Sequence, residues 1–190
     1  QVDSSLYTIL HISKDPYLKW LKTILNSNAH VGYDSRLQRA NWKINTEKIL
    51  ADNITLIPID KNPIDIYWDD RPFGNMDMAI LLDEKYTGKS SEEKRNELGK
   101  TISKNNCDAA FISQLDSIAW LLNIRGKDVP CNPVLLCHGL LHSDGAFDLF
   151  INENKIPNGF HHHVGTKVSV ISPDKMKTRL NDFSGKKIQD

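Results

Sequence analysis

Apolar positions along the chain follow two periods, one typical of strands and one typical of helices. Short apolar or alternating runs predict β-strands at Leu6 to Ile12, His30 to Tyr33, Ile54 to Ile59, Asp108 to Ser113 and Val168 to Ile171. Apolar residues three or four positions apart predict helices over about Leu37 to Ala51, from Asn62-Pro63 to Trp68, and over Leu115 to Leu122.

The beginnings of other helices carry signals of their own. Asp15 and Ser172 are each followed by proline, and they are predicted to cap the first and the last helix of the chain. Ser90 and Glu93 form a capping box, in which each side chain accepts the other residue's amide. The helix that follows is predicted to run to about Lys104.

The second half of the chain contains a hairpin signal. Asp144-Gly145 lies between apolar runs at Pro133 to Leu141 and Ala146 to Ile151, a pattern typical of two strands joined by a tight turn. Strands that alternate with helices, together with this hairpin, predict an α/β fold with a mixed β-sheet flanked by helices. A polar stretch rich in Pro and Gly, Asp69 to Asn75, predicts a boundary between two parts of the chain.

Composition narrows the classes of function. The 190 residues include 24 basic and 24 acidic side chains, and this balance argues against binding to nucleic acid or to an anionic membrane surface. The longest apolar runs, Ile118 to Leu122 and Val134 to Cys137, are far shorter than a membrane-spanning helix. Cys107, Cys131 and Cys137 are odd in number and form no C-x-x-C pair, which favours free thiols in a reducing cytoplasm.

Histidines raise the question of a metal site at two places, and each place has a simpler interpretation. His138 and His142 share a face on a helix or on a strand, but Gly139 stands where a zinc peptidase motif has its glutamate. The alternative is one face of the hairpin, with Asp144 kept in the turn. His161 to His163 point in alternating directions on an extended segment and do not easily share one ion, so a solvated loop is the alternative.

The sequence offers no self-sufficient catalytic set. It contains no nucleophile elbow, no G-x-G-x-x-G and no phosphate-binding loop, and its cysteines have no neighbouring base pattern. Arg125 follows an apolar helix and can present its guanidinium to a carboxylate or a backbone carbonyl. The alternative for Arg125 is an ion pair with Asp116 or Asp128. Trp68 and Trp120 close apolar helical segments, which favours core packing over a ligand platform.

Two motifs resemble a known enzyme family. Leu115 to Gly126, with Asp128 and Asn132-Pro133-Val134, is similar to the middle domain of three-domain Xaa-Pro aminopeptidases of the creatinase and prolidase type. Asp65 to Pro72 resembles the segment that joins the first and second domains of that family. The resemblance covers about residues 30 to 155.

The resemblance implies a layout and a chemistry. Residues 1 to 70 would be the C-terminal half of a first creatinase-type domain, and residues 71 to 190 the second, middle domain. A catalytic pita-bread domain would follow, in which Asp, His and Glu side chains hold two divalent metal ions, usually manganese. None of those ligands can be placed on this chain, so no cofactor is expected here. Ser117 and Asp69 depart from the family pattern, where an acidic residue and a threonine are usual.

For this part of the enzyme the resemblance implies a supporting role in a cytoplasmic protein. The whole protein would hydrolyse the bond between an N-terminal residue and a following proline. This part would be inactive alone, would wall the cleft of its own C-terminal catalytic domain, and would allow a homodimer. Arg125 ends the longer motif and is the substrate-side candidate, whereas His138, His142 and His161 to His163 match no family motif.

Two alternatives to this interpretation stay open. One is a stand-alone creatinase-type module that binds peptides or proteins without a hydrolase attached. The other is the N-terminal region of a creatinase or prolidase relative.

Overall fold

The chain divides into two compact units, Gln1–Arg71 and Pro72–Asp190, which we call unit 1 and unit 2. A computed structural model describes residues 2–50, 54–72 and 74–189. Within these ranges, no helix combines the length and the apolar character that crossing a membrane requires. Each unit is described by itself.

In its described residues, unit 1 contains a two-stranded parallel sheet and three helices. Its elements are α1 (Tyr17–Ile24), β1 (Ala29–Tyr33), α2 (Ala40–Leu50), β2 (Ile54–Pro58) and α3 (Pro63–Tyr67). The strands pair along their whole length, beginning with Ala29 opposite Ile54. Asn62 caps α3 by accepting the amide of Ile64 at 2.9 Å. These elements confirm the predictions for this stretch, although Ala51 lies outside the described residues.

Little of unit 1 is buried. Leu50 and Leu56 are buried, but Ile24, Ile44 and Ile57 are all at least 40% exposed. A cavity of about 430 Å³ opens between α1, α2 and the two strands. Parallel sheets normally bury both faces, and a two-stranded sheet is marginal by itself. Unit 1 therefore presents apolar surface that a larger sheet would cover.

Two predictions for the start of the chain are wrong. Leu6 to Ile12 is exposed and forms no strand, because no strand in the described part of the chain pairs with it and strand amides need partners. Asp15 does not cap α1. Its carboxylate accepts the amide of His11 instead, and Pro16 occupies the N-cap position without a side-chain hydrogen bond.

Unit 2 contains the larger sheet. Its helices are α4 (Glu84–Thr87), α5 (Ser91–Lys104), α6 (Leu115–Leu122), α7 (Phe160–Val164) and α8 (Met176–Asn181). Its strands are β3 (Ile80–Leu81), β4 (Ala109–Ile112), β5 (Ile124–Arg125), β6 (His138–His142), β7 (Phe147–Phe150), β8 (Val168–Ile171) and β9 (Ile188–Gln189). Five strands form one sheet in the order β8-β7-β6-β4-β9, and β3 pairs separately with β5.

The sheet of unit 2 is mixed, which confirms the predicted fold class. β6 is antiparallel to β4 and β7, whereas β8 and β9 are parallel to their neighbours. The capping box at Ser90 is present, and the hairpin turns at Gly145 with φ of +81°. The first strand of the hairpin begins only at His138. Ser172 makes no side-chain cap, because a 3₁₀ turn at Pro173–Lys175 precedes α8.

Each face of this sheet carries its own apolar cluster. Leu141 and Phe147 belong to the cluster that includes Ile118 and Leu122 of α6. Leu140 and Phe150 belong to the opposite cluster, with Phe183 and part of α8. Because neighbouring residues of a strand point to opposite faces, one hairpin supplies both cores.

α5 lies directly against the turn of this hairpin. A Cβ added at Gly99 would lie 2.9 Å from the amide nitrogen of Gly145 and 2.9 Å from the carbonyl oxygen of Ser143. Only glycine lets the helix backbone approach the turn this closely.

Arg95 of α5 secures the same contact with hydrogen bonds and is 1% exposed. Its Nη1 donates to the carbonyl of Gly145, and its Nη2 donates to the carbonyls of Val164 at 2.9 Å and Thr166 at 2.8 Å. No carboxylate in the described ranges forms an ion pair with it. The guanidinium thus joins α5 to the hairpin turn and to the end of α7 through neutral acceptors.

We expect Arg95→Met to destabilise unit 2 by at least about 1–3 kcal/mol, because the substitution leaves buried carbonyls without donors. Hydrogen exchange of the β6 and β7 amides reports the opening free energy of this unit alone. Lys100→Met on the exposed side of α5 is the matched control. Equal protection in the two variants would contradict the assignment.

Candidate functional site

An exposed aromatic ring and a cationic side chain lie together at the end of α6. Asn123 ends the helix in the left-handed conformation, with φ of 54° and ψ of 42°. β5 follows at once and pairs with β3, so that Arg125 lies opposite Ile80. We call residues 120–125 the Trp120–Arg125 segment.

Lys94 of α5 holds this segment from the interior. Its Nζ donates to the carbonyl of Trp120 at 2.9 Å and to Oδ1 of Asn123 at 2.6 Å. The same nitrogen lies 4.4 Å from the centroid of the Trp120 ring, a cation–π distance. Burial lowers the pKa of Lys94, and the positive charges of Arg125 and Lys89 add to this effect. A desolvated ammonium therefore fixes both the helix end and the indole ring.

Arg125 folds back on the end of α6. Its Nη1 donates to the carbonyls of Ala119 at 3.1 Å and Ile124 at 2.7 Å. The ion pair with Asp116 or Asp128 that the sequence offered as an alternative is wrong, because the helix end supplies unsatisfied carbonyls close to the guanidinium. Within the described part of the chain, Nε and Nη2 of Arg125 make no hydrogen bond.

Asp128 is committed to a different contact. Its carboxylate pairs with Lys155 at 2.5 Å and accepts the amide of Leu136 at 2.7 Å. Burial raises the pKa of Cys137 to about 12, and the charge of Asp128 adds to the effect. Cys137 therefore stays a thiol near neutral pH and is unsuited to act as a nucleophile.

The prediction that Trp68 and Trp120 pack in a core is wrong, since they are 46% and 51% exposed. Ile118 and Leu121 define the buried stripe of α6, and Trp120 falls on the other side of the helix. Trp120 instead helps to line an open cavity of about 310 Å³, together with Leu98, Ile112 and Leu121.

His138 and His142 lie on one face of β6. His138 stacks on Phe111 with ring centroids 5.8 Å apart. His142 Nε2 lies 3.0 Å from Oδ2 of Asp148, and the same oxygen accepts Nε of Arg179 at 2.8 Å. His138 thus joins the hairpin to β4, whereas the His142–Asp148 contact links the two hairpin strands to each other and reaches α8 through Arg179. Asp144 stays in the turn.

The prediction of a solvated loop at His161 to His163 is wrong, because these residues form most of α7. His161 and His162 are exposed, whereas His163 is half-buried. The Nε2 of His163 lies 3.0 Å from the carbonyl oxygen of Asn123. One histidine of the run therefore contacts the Trp120–Arg125 segment.

No metal-binding arrangement was found among the residues that the structure describes. None of their His, Cys, Asp and Glu side chains form a group of three or more that could hold an ion. The cysteines are free thiols, with Cys107 and Cys137 buried and Cys131 exposed.

Three parts of the site were not predicted from the sequence: Lys94, Asn123 and His163. The positions of Lys94 and Arg95 carry a usable signal, because both follow Ser91 at helical spacing and precede Gly99 and Ile102 on the same buried face. Asparagine directly after an apolar helix is a typical left-handed cap. His163 carries no comparable local signal.

Known proteins resemble this chain over most of its length. A family model described as the creatinase/prolidase N-terminal domain matches residues 70–189. The probable Xaa-Pro aminopeptidase P of Ajellomyces capsulatus strain H143 is 34% identical over 154 residues, which are 80% of this chain and 24% of the relative. The probable Xaa-Pro aminopeptidase P of Coprinopsis cinerea is 30% identical over 166 residues, 86% of this chain and 26% of the relative.

One solved structure is similar in both fold and sequence. It is the X-prolyl aminopeptidase from Caenorhabditis elegans, described as a cytosolic enzyme with a di-nuclear active site. The TM-score is 0.78 at 27% identity, and the match covers 88% of this chain and 28% of that one. The chain thus spans about a quarter of the length of the proteins it matches.

The shared acceptor Asp148 leads to a prediction for acid stability. Burial raises the pKa of Asp148, but hydrogen bonds from His142 and Arg179 and their charges hold it below its ordinary 3.8. A depressed carboxyl pKa stabilises the fold above the unfolded value, and this contribution is lost as the pH falls through the folded value. Wild-type unit 2 should lose stability as the pH falls below the ordinary value of 3.8, and Asp148→Asn should lose less as the pH falls.

Urea unfolding at several pH values measures this difference. We expect Asp148→Asn to cost about 1–3 kcal/mol at neutral pH, because a buried charged acceptor is removed. Asp182→Asn, at the exposed partner of Arg179, is the control. Parallel pH profiles for wild type and Asp148→Asn would refute the prediction.

Proposed function

The chain belongs to the family of creatinase/prolidase N-terminal domains, and from this we propose that it is the non-catalytic N-terminal portion of a metal-dependent Xaa-Pro aminopeptidase. The match over residues 70–189 confirms the resemblance predicted from the two motifs. The observation that carries the proposal is the similarity to Xaa-Pro aminopeptidases P, in which this chain matches only about a quarter of the length. The remaining length leaves room for a catalytic domain.

The proposed enzyme hydrolyses the bond between an N-terminal residue and a following proline. Proline makes that bond a tertiary amide without an N–H, so a peptidase that needs this donor cannot use it. The substrates are peptides with proline at the second position. The proposal places two divalent metals, with manganese as the expected ion, in the catalytic domain, and the di-nuclear active site of the worm enzyme supports this. A cytoplasmic location agrees with the description of the worm enzyme as cytosolic.

We assign residues 1 to 70 to the C-terminal half of a first creatinase-type domain and residues 71 to 190 to the second. The small parallel sheet of unit 1, with its exposed apolar side chains, supports this assignment. Half of a domain exposes what the other half covers. A homodimer is a further part of the proposal.

Within that enzyme, unit 2 walls the active-site cleft and Arg125 faces the substrate. Among the described residues, only Nη1 of Arg125 donates a hydrogen bond. This supports the role, because Nε and Nη2 can bind a carboxylate or a peptide carbonyl as a fork. The exposed ring of Trp120 offers an apolar surface beside it. Lys94 and the helix end keep both side chains in place.

Arg125→Ala in the longer enzyme should raise KM for Xaa-Pro peptides by about tenfold or more while kcat changes little, since a charged hydrogen bond contributes about 1.5–3 kcal/mol. Steady-state turnover of peptides of several lengths measures both constants. Lys127→Ala, an exposed cation two residues further on, is the matched control. Unchanged kinetics and unchanged length selectivity would remove Arg125 from the substrate side.

The 190-residue chain by itself should bind no manganese tightly and should cleave no Xaa-Pro peptide, because the described residues provide no ligand set. Titration calorimetry with Mn²⁺ and a peptide-cleavage assay test this directly. Stoichiometric metal with turnover would overturn the non-catalytic assignment. Tight peptide binding without turnover would favour the stand-alone recognition module instead.

A further inference from the structure

His163, the last residue in the run of three histidines, contacts the Trp120–Arg125 segment. We propose that His163 is a positioning residue for Arg125, which it orients through the carbonyl of Asn123. This rests on the proposed substrate-side function of Arg125. A carbonyl oxygen only accepts hydrogen bonds, so Nε2 of His163 carries the proton across the 3.0 Å contact.

At Asn123 the chain leaves α6 and enters β5, and several hydrogen bonds hold this residue. Its side chain accepts Lys94 Nζ at 2.6 Å and donates Nδ2 to the carbonyl of Lys89 at 2.9 Å. Its carbonyl accepts the amide of Leu82 at 2.9 Å as well as His163. Asparagine adopts the left-handed conformation more readily than other non-glycine residues, and these contacts hold it there. The orientation of the carbonyl in turn sets where Arg125 points, two residues later.

His163 is itself held in place by the residue that follows it. The carbonyl of Val164 accepts Nη2 of Arg95 at 2.9 Å, and Arg95 is the neighbour of Lys94 on α5. The contacts therefore form a closed ring from Lys94 through Asn123, His163 and Val164 to Arg95. Removing the His163 donor opens this ring at one point and leaves Lys94 on Asn123. We expect a shift in the direction of Arg125 rather than unfolding.

The geometric half of the proposal is tested on the 190-residue chain by NMR. His163→Gln keeps an amide donor, His163→Leu removes it, and His162→Leu is the control at the exposed neighbour in the same helix. The indole N–H of Trp120 and the Nε–H of Arg125 are the probes, and Trp120 is the one tryptophan of unit 2. His163→Leu should shift both signals, whereas His163→Gln and His162→Leu should leave them near their wild-type positions.

The functional half is tested in the longer enzyme. His163→Leu should raise KM for Xaa-Pro peptides several-fold with kcat unchanged, His163→Gln should restore it, and adding Arg125→Ala should give less than the product of the two effects. If His163→Leu unfolds, as amide exchange in β6 and β7 would show, His163→Ala takes its place.

Three results would overturn the inference, and they separate it from the function on which it rests. Unshifted Arg125 and Trp120 signals in His163→Leu would show that the histidine positions nothing. A raised KM in Arg125→Ala with a wild-type KM in His163→Leu would leave Arg125 in its role and remove His163. Unchanged KM in both variants would refute the substrate-side role of Arg125, and the positioning role with it.

Discussion

Two adjacent buried cations on α5, Lys94 and Arg95, set the constraint on which the rest of unit 2 depends. They are 2% and 1% exposed. A buried charge is costly unless every donor finds an acceptor. Here the acceptors are backbone carbonyls, the side-chain amide of Asn123 and, at 3.5 Å, the hydroxyl of Ser91. Backbone carbonyls that are free to accept lie at the ends of elements. Consequently, the helix that carries these cations fixes where α6, α7 and the hairpin turn must end.

Arg95 contacts the scaffold of unit 2, whereas Lys94 contacts the candidate site. Arg95 points to the hairpin turn and to the end of α7, and Gly99 lets the same helix approach that turn at backbone distance. Lys94 points to the end of α6, where Trp120 and Arg125 lie. Because consecutive residues of a helix point about 100° apart, one helix reaches both regions. The exposed Trp120 ring is thus held by a residue that belongs to the core, and Arg125 is held by the carbonyls of the same helix end.

The features that the sequence predicts correctly are those for which one short segment contains its own physical explanation. The Ser90–Glu93 capping box, the turn at Asp144-Gly145 and the family motif through Arg125 are each local patterns, and the structure or the comparisons confirm all three. The features that the sequence does not predict depend on contacts between distant segments. Leu6 to Ile12 has the alternation of a strand but finds no pairing strand in the described chain. His161 to His163 is drawn into a helix whose end Arg95 binds from another element.

At the end of α6, the polar contacts of a residue restrict its replacement more strongly than its hydrophobicity does. Ile118 and Leu122 could be exchanged for similar apolar residues at modest cost, because a core tolerates swaps that conserve volume. Asn123 has no such substitute, since it must adopt a left-handed backbone, accept an ammonium and donate to a carbonyl at once. A glycine would adopt the left-handed backbone but would have no side chain to accept or donate. An aspartate would lack the donor to the carbonyl of Lys89 and would place a negative charge beside Lys94. Asparagine therefore meets all three requirements at the helix end, and its conformation helps to fix the positions of Trp120 and Arg125.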